Sequence, residues 1–374
     1  MEKIAIISNT SWYLFNFRIN LIKRLLTEGF QVIAIAPPDE YSSRIEEIGC
    51  RYYPVKIDSK SKNPLVDIGL TINLIKAFRK VKPELLINFT AKPNIYSTIV
   101  GRFLGIPAIN NIAGLGLGFV NESLTTRILR ILYHFSQKKA SVVFFQNPDD
   151  LSEFVSNKMV VPNKCSLLPG SGVDLKRFRY SSVPSTIKNK FTFLLISRLL
   201  FSKGIEILFQ AAKRIYESGN HDFLVKILGE AGVNNADAIP STLIKKWSEE
   251  TFFEYIGKTD DVVPFIEEAH CIILPSYYRE GTPKSLLEGL AIGRPIITTD
   301  MPGCKNTVIE SDNGYLVPPK DINTLAKKME RVMTLNYKQL QRMGLRSRKL
   351  AEEKFDEAIV VERYLEEIEN VVKK

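Results

Sequence analysis

Two glutamates, Glu280 and Glu288, bracket the short run Gly281-Thr282-Pro283-Lys284-Ser285. Pro283 suits the first turn of a helix, where its missing N–H is not needed. Backbone N–H groups at a helix start lack partners within the helix, so those of Thr282, Lys284 and Ser285 would offer donors to an anion. An ionised carboxylate only accepts hydrogen bonds, which makes hydroxyl-rich ligands natural partners for the two glutamates. The alternative is a surface loop and an amphipathic helix carrying solvated glutamates. A second constellation lies upstream, where Ser197-Arg198 is followed by Lys203-Gly204. Arg and Lys at such spacing can clamp a diphosphate, the Arg with two parallel bonds and the Lys as a point charge; the alternative is a plain basic loop. Between these two lies Leu228-Gly229-Glu230-Ala231-Gly232, where backbone could approach a flat ring such as a nucleobase.

Each constellation follows a short apolar run of strand character: Phe191–Ile196, Phe223–Leu228 and Cys271–Pro275. Further runs at Phe253–Ile256, Pro295–Thr299 and Tyr315–Val317 complete a second series, with helical spacing between them. A first series reads Ile4–Ser8, Gln31–Ala36, Tyr52–Ile57, Glu84–Phe89, Pro107–Ile112 and Ser141–Phe145. Continuous apolar strands alternating with helices predict a parallel sheet covered on both faces. The chain therefore reads as α/β, two tandem doubly wound Rossmann-like domains facing across a cleft. In such sheets ligands bind at the carboxyl ends of the strands. The predicted boundaries are 1–178 for the first domain, a polar linker over Arg177–Lys190, and 190–356 for the second. A final helix, Glu357–Val372, is available to pack back on the first domain.

The 374 residues suffice for two cores, and no apolar run is long enough to span a bilayer. No signal-peptide pattern opens the chain, and the four scattered cysteines show no metal spacing, which predicts a reducing cytoplasm. The net charge of +10 is unevenly placed: residues 1–180 carry 24 Lys and Arg against 14 Asp and Glu, while residues 181–374 carry 27 of each. The first half is thus expected to meet something anionic: a membrane, a lipid diphosphate or a nucleic acid. Residues 127–139 are basic and amphipathic, either a lipid-resting helix or a crossover helix with its apolar face in the core.

Taken together, the three constellations resemble the family-4 retaining glycosyltransferases of the GT-B fold, over nearly the whole chain. That family carries a glutamate, seven residues, then a second glutamate, matched by Glu280 and Glu288. The resemblance implies that Glu280 touches the donor sugar, Glu288 the ribose, and that Arg198 and Lys203 hold the diphosphate. Gly170-Ser-Gly-Val-Asp174 with Phe178, Asp300-Met-Pro-Gly303 and Asn313-Gly-Tyr-Leu-Val317 are further matches. Phe89-Thr-Ala-Lys92-Pro93-Asn94-Ile95-Tyr96 and Asn111-Ile-Ala-Gly114-Leu-Gly116 look like a bacterial subgroup that builds O-antigens, capsules or glycans on polyprenyl diphosphate. This implies a nucleotide-sugar donor, UDP-hexose or UDP-N-acetylhexosamine, and a lipid-linked saccharide acceptor. It also implies work on the cytoplasmic face of a membrane, with no metal and no cofactor. Lys92, Asn94, Gly114, Gly116, Asn9 and Arg18 are the expected acceptor-side residues, Lys92 meeting a phosphate and Asn9 and Arg18 lining the cleft near the first strand.

Two features depart from the family pattern. No glycine follows the first strand, and none of His134, His221 and His270 sits where a first-domain histidine would meet the donor sugar. All three histidines read as structural, and the 113–119 loop is the candidate substitute. Two rival functions remain: a nucleotide-sugar epimerase of the same fold, and a nucleic-acid-binding protein using the basic half, for which no motif is present. A dinucleotide dehydrogenase is disfavoured because no GxGxxG follows any strand.

Overall fold

The computed structural model describes residues 2–58, 61, 63–116, 119, 124–185, 190–233 and 235–372. The chain divides into two compact units, 1–171 with 357–374 and 172–356. The first unit contains β1 Lys3–Ile7, α1 Ser11–Thr27, β2 Gln31–Ala36, α2 Ser42–Glu47, β3 Arg51–Pro54 and α3 Pro64–Val81. It continues with β4 Leu85–Phe89, α4 Thr98–Leu104, β5 Ala108–Ile112, α5 Leu124–Gln137, β6 Val142–Phe145, α6 Pro148–Ser156 and β7 Cys165–Leu167. The second unit begins with β8 Phe191–Ile196, α7 Ile205–Glu217, β9 Phe223–Leu228, α8 Ser241–Trp247, β10 Phe253–Gly257 and α9 Val263–Glu268. It ends with β11 Cys271–Leu274, α10 Lys284–Ile292, β12 Ile296–Thr299, β13 Gly314–Val317, α11 Ile322–Met333 and α12 Tyr337–Leu350. Helix α13, Glu357–Val372, belongs to the first unit again.

Among the described residues the strands pair in parallel throughout, in the orders β3-β2-β1-β4-β5-β6-β7 and β10-β9-β8-β11-β12-β13. The strand order reverses between β1 and β4 in the first sheet and between β8 and β11 in the second. At such a switch point the flanking connections leave in opposite directions and open a crevice at the carboxyl edge. The strand sequences explain their burial on both faces. In β1, Ile4 and Ile6 join one core with Leu14, Leu21 and Leu25 of α1, while Ala5 and Ile7 join another with Leu70 and Leu74 of α3. Local signals set the helix limits. The Thr10 side chain accepts from Tyr13 N to start α1, and Asn63 accepts from Leu65 N ahead of Pro64 to start α3.

Helix α13 packs on the first unit because Val360, Tyr364 and Ile368 fall on one face at a four-residue interval and enter its core. Tyr364 is fully buried against Phe144 and accepts a 2.8 Å hydrogen bond from the Asn111 side chain. Asn20 donates to Glu357 at 2.8 Å, and Arg24 pairs with Glu362 at 2.8 Å.

Three expectations need correction. The units part at 171/172, not at 178, because Val173, Phe178 and Val183 are buried in the second core and Ser181 N donates to Ile292 O. The expected linker is therefore packed chain over 177–183; its residues 186–189 lie outside the described residues. Strand β7 was not expected, being a three-residue edge strand with little apolar signal. The helix expected to open at Pro93 already includes residues 91 and 92, and Pro93–Ser97 form a π-helical turn within it before α4.

Removing the Tyr364 hydroxyl leaves a buried Asn111 amide without its acceptor, so Tyr364→Phe is expected to cost about 1–2 kcal/mol. Tyr364→Ala is expected to cost about 3–5 kcal/mol by cavity formation. The chain has two tryptophans, Trp12 in the first unit and Trp247 in the second. Urea unfolding of a Trp247→Phe background, read through Trp12, checks both values.

Candidate active site

In the second unit the constellations converge on the switch point. Arg198 and Lys203 follow β8, Glu280 follows β11, and the side chains of Lys203 and Glu280 form an ion pair. Both are largely buried, with 10% and 12% of their side-chain surface exposed. The alternative of a plain surface loop therefore does not hold for these two residues. The Ser276 hydroxyl lies 3.1 Å from Glu280 Oε1. The ring of Tyr278 lies 5.3 Å from the Lys203 ammonium. Burial, then the Glu280 charge, pushes the Tyr278 hydroxyl above its ordinary pKa, and the Arg198 charge opposes this. Arg198 is exposed and makes no ion pair among the described residues.

Neighbouring loops hold this pair in place. Tyr277 N donates to Ser202 O at 2.9 Å, tying the loop after β11 to the loop after β8. Phe201 N donates to Asp237 O, and the Ser202 N–H and hydroxyl both donate to the Asp237 carboxylate, which adds the loop after β9. The turn after β12 packs closest of all. A Cβ at Gly303, whose φ is +80°, would lie 1.6 Å from Gly281 O, so only glycine fits there. Beneath the pair, Cys304 is fully buried, and burial pushes its thiol up to about 12. It is a neutral filler, not a nucleophile.

Gly229 also requires glycine, but for a different reason from the one expected. A Cβ there would lie 1.9 Å from Ser197 O, its N–H donates to Gly257 O, and its carbonyl accepts from the Tyr255 hydroxyl. Its N–H and carbonyl are both engaged within the unit, and the close approach that the structure shows is to Ser197.

Helix α10 starts at Lys284 with Pro283 at the cap position, and no side chain caps it. Gly281, Thr282 and Pro283 are buried, while Lys284 and Ser285 are half-buried. Glu288 is 9% exposed and has no hydrogen-bond partner among the described residues. Burial pushes its carboxyl up to about 7, against the opposing charges of Lys284 and Arg177. Arg177 comes from the chain entering the second unit and donates to Asp260 O at 3.3 Å. Sequence reading missed Arg177, Ser276, Tyr278 and Asp237. Only Ser276 and Tyr278 gave a signal, by directly following a strand at a switch point.

In the first unit, Asn9 follows β1 and Lys92 follows β4, flanking that sheet's switch point. Asn9 is half-buried and its side-chain oxygen accepts from the Ser8 hydroxyl. Three expected acceptor-side residues are otherwise engaged. Lys92 pairs with Asp67 at 2.5 Å and donates to Ser61 O at 2.9 Å, while Asp67 also accepts from the Tyr96 hydroxyl. Arg18 is 1% exposed, stacked 4.4 Å over Phe89 and donating to the Tyr13 hydroxyl, so it is a core cation and does not line an open cleft. Asn94 is 1% exposed and donates to Asn111 O at 2.7 Å, within a buried polar network of Asn88, Thr98, Asn110 and Gln137. That network fixes the base of the Gly114–Gly116 loop, where both glycines take left-handed φ values of +96° and +64°. Of the 113–119 loop, residues 117 and 118 lie outside the described residues.

The histidines have structural partners. His270 accepts from Thr192 N and stacks on Phe191, and burial lowers its pKa to about 4. His134 contacts Lys138, and His221 packs edge-on to Tyr216.

The family comparison places both units. Residues 178–350 match the model described as "Glycosyl transferases group 1", and residues 3–147 match "Glycosyl transferase 4-like". The chain is a glycosyltransferase. It is 25% identical, over 99% of both chains, to the Campylobacter jejuni N,N'-diacetylbacillosaminyl-diphospho-undecaprenol alpha-1,3-N-acetylgalactosaminyltransferase. It is 24% identical to the Escherichia coli UDP-Gal:alpha-D-GlcNAc-diphosphoundecaprenol alpha-1,3-galactosyltransferase, covering 71% of this chain and 70% of that one. Its fold matches a Rickettsia africae glycosyltransferase (TM-score 0.81, 17% identity, 100% and 99% of the two chains covered). It also matches Anabaena HepE solved with UDP (TM-score 0.79, 16% identity, 99% and 100% covered). The epimerase and nucleic-acid readings gain no support from these comparisons.

The buried carboxylate predicts a stability signature for the transferase. Glu288 keeps its proton in the folded state up to about pH 7, whereas the unfolded chain releases it near 4.5. A raised carboxyl pKa means that stability falls as pH rises through this window and is level above it. Glu288→Gln removes that loss, so the variant is expected to exceed the wild type by about 3 kcal/mol at pH 8 and to match it near pH 4.5. Urea unfolding read through Trp247 at the two pH values checks this. Equal differences at both would overturn the assignment.

Proposed function

We propose that this glycosyltransferase moves a hexose or N-acetylhexosamine from a UDP-sugar to a saccharide carried on polyprenyl diphosphate, with retention of configuration at the sugar carbon. The reading rests on one structural observation above all: the buried Lys203–Glu280 pair at the switch point, beside the uncapped start of α10. The names of the Campylobacter and Escherichia relatives support the lipid-linked acceptor, and the nucleotide bound to HepE supports UDP.

On this reading the diphosphate sits against the α10 N-terminus, where backbone N–H groups and the helix dipole favour negative charge. Arg198 and Lys203 add two cations where charge develops as the bond to UDP breaks, the largest electrostatic contribution to the rate. Glu280 accepts from the donor sugar and, through its pairing with Lys203, holds the ammonium in place. Glu288 accepts from the ribose hydroxyls. The acceptor hydroxyl attacks the sugar carbon from the face that UDP leaves, and its proton passes to the departing phosphate oxygen. The chain's own groups suffice for these roles without a metal or cofactor. Because a polyprenyl diphosphate stays in its bilayer, the enzyme works at the cytoplasmic membrane face, its basic first half toward anionic lipid.

Glu280→Gln preserves shape and removes the charge, and it is expected to lower kcat by about 10²–10³-fold with little change in donor KM. Lys203→Ala is expected to lower kcat at least as far. Near-full turnover of Glu280→Gln with UDP-sugar and lipid-linked acceptor would remove Glu280 from the mechanism, and an inverted product anomer by NMR would remove retention. The ribose contact needs an ionised Glu288, so donor KM is expected to rise as pH falls through about 7, and to stay level across that range in Glu288→Gln.

A further inference from the structure

Helix α5 is inverted for a helix that faces water. Its polar residues Thr126, Ser136 and Gln137 are buried, and Gln137 joins the asparagine network beneath the sheet edge. Its apolar residues Leu124, Ile128, Ile131 and Phe135 are 75%, 50%, 55% and 63% exposed. They recur at intervals of four, three and four, which places them in one outward stripe. The core contact is made by other residues, Tyr133 and the partly buried Leu129 and Leu132. The stripe therefore has no role in packing.

It is not isolated. Helix α4 packs beside α5 and exposes Phe103 at 76%, and α3 packs beside α4 and exposes Leu65 and Ile68 at 74% and 56%. The inward residues of α3, α4 and α5 contact the same face of the first sheet, that of Ile7, Leu86, Ala108 and Phe145. Single exposed apolar residues are ordinary, but a run of them across three adjacent helices marks a contact surface.

Charge identifies what it meets. The three helices carry Lys76, Arg79, Lys80, Arg102, Arg127 and Arg130, and a single acid, Asp67. Asp67 is turned inward to Lys92 and Tyr96. At the end of α5, Arg102 and Lys139 crowd Lys164 closely enough that, after burial, their charges help lower its pKa. Arg130 is paired with Glu153 at 3.2 Å, but no acid pairs with Arg102, Arg127 or Lys139 among the described residues, and like charges so placed round an apolar stripe complement a surface that is anionic and apolar beneath.

We propose that the outer face of α3, α4 and α5 seats this enzyme on an anionic bilayer, with Phe103, Ile128, Ile131 and Phe135 entering the boundary between headgroups and acyl chains. Arg102, Arg127 and Lys139 meet the headgroup phosphates. This rests on the lipid-linked acceptor reading and names the surface that delivers the enzyme to it.

The test is co-sedimentation of the full chain with vesicles of phosphatidylglycerol and phosphatidylcholine, against phosphatidylcholine alone. The wild type is expected to bind the anionic vesicles and to release with salt. The triple variant F103S/I131S/F135S and the double variant R102E/K139E are each expected to lose at least about tenfold in partitioning. Both are expected to keep the wild-type unfolding transition and turnover of a short-chain, detergent-soluble acceptor. Equal vesicle binding by wild type and triple variant would overturn the proposal. So would a lipid-free dimer that the triple variant dissociates, since the stripe would then be a subunit interface. Vesicle binding without sugar transfer would instead defeat the proposed reaction and leave the surface standing.

Discussion

The Lys203–Glu280 ion pair depends on backbone arranged around it more than on the two residues themselves. Two opposite charges taken out of water gain little net energy, because desolvation offsets most of their attraction. What holds them is the web of bonds between the loops after β8, β9 and β11, with Ser202 and Asp237 at its centre. Gly303 brings the turn after β12 against the same loop, where any side chain would collide with Gly281 O. The pair is thus set by four strand ends of one parallel sheet. The cooperative unit is the sheet edge, and this explains why the residues concerned lie as far apart in the chain as 202 and 303.

The buried ionisable groups divide according to how they are satisfied. Arg294 is fully buried, yet its guanidinium donates to the carbonyls of Ser181, Gly293, Ile266 and Glu267. It joins the entering chain to α9 and the turn after α10, which is a structural task. Glu288 is buried to a similar degree without such partners, and its carboxyl pKa rises accordingly. A buried carboxylate lacking hydrogen bonds costs stability unless something supplies donors. A ligand hydroxyl is one such supply, and a site that accepts this cost in the empty enzyme binds more selectively when filled.

The sheets were legible because parallel strands buried on both faces are continuous apolar runs. β2, β8 and β9 have the limits that their sequences suggest, as does α13, whose four-residue apolar interval is unbroken. The missed strand β7 has only Cys165-Ser166-Leu167 and lies at a sheet edge, where one-sided contact leaves little pattern. The misplaced boundary has a similar cause. Residues 172–183 look polar and irregular, but Phe178 and Val183 are enough to anchor them in the second core. In the second unit the candidate site was legible because strand-end position and residue type agreed. In the first unit residue type misled. Lys92 and Arg18 are cations at strand ends or nearby, and nothing local announces that Asp67 and Phe89 engage them. Those partners come from 25 and 71 positions away.

The uneven charge of the chain follows from the same division. On the proposed reading the second unit holds a small anion at one point, with a few cations inside a neutral envelope, where Lys203 is balanced by Glu280 and Glu288 lies within reach of Lys284 and Arg177. Charges balanced at close range create little field beyond the site, so a neutral unit can still carry a strong local anion site. In the first unit the strongest candidate for a local anion site, Lys92, is neutralised by Asp67, while Lys76, Arg79, Arg102 and Arg127 on α3, α4 and α5 stand exposed and make no ion pair among the described residues. Their field extends about a Debye length into solution, roughly 8 Å at physiological salt, which suits an extended anionic surface and not a single phosphate. Half of the positive excess of residues 1–180, +5 of +10, lies on these three helices, and the apolar stripe between them gives it a direction.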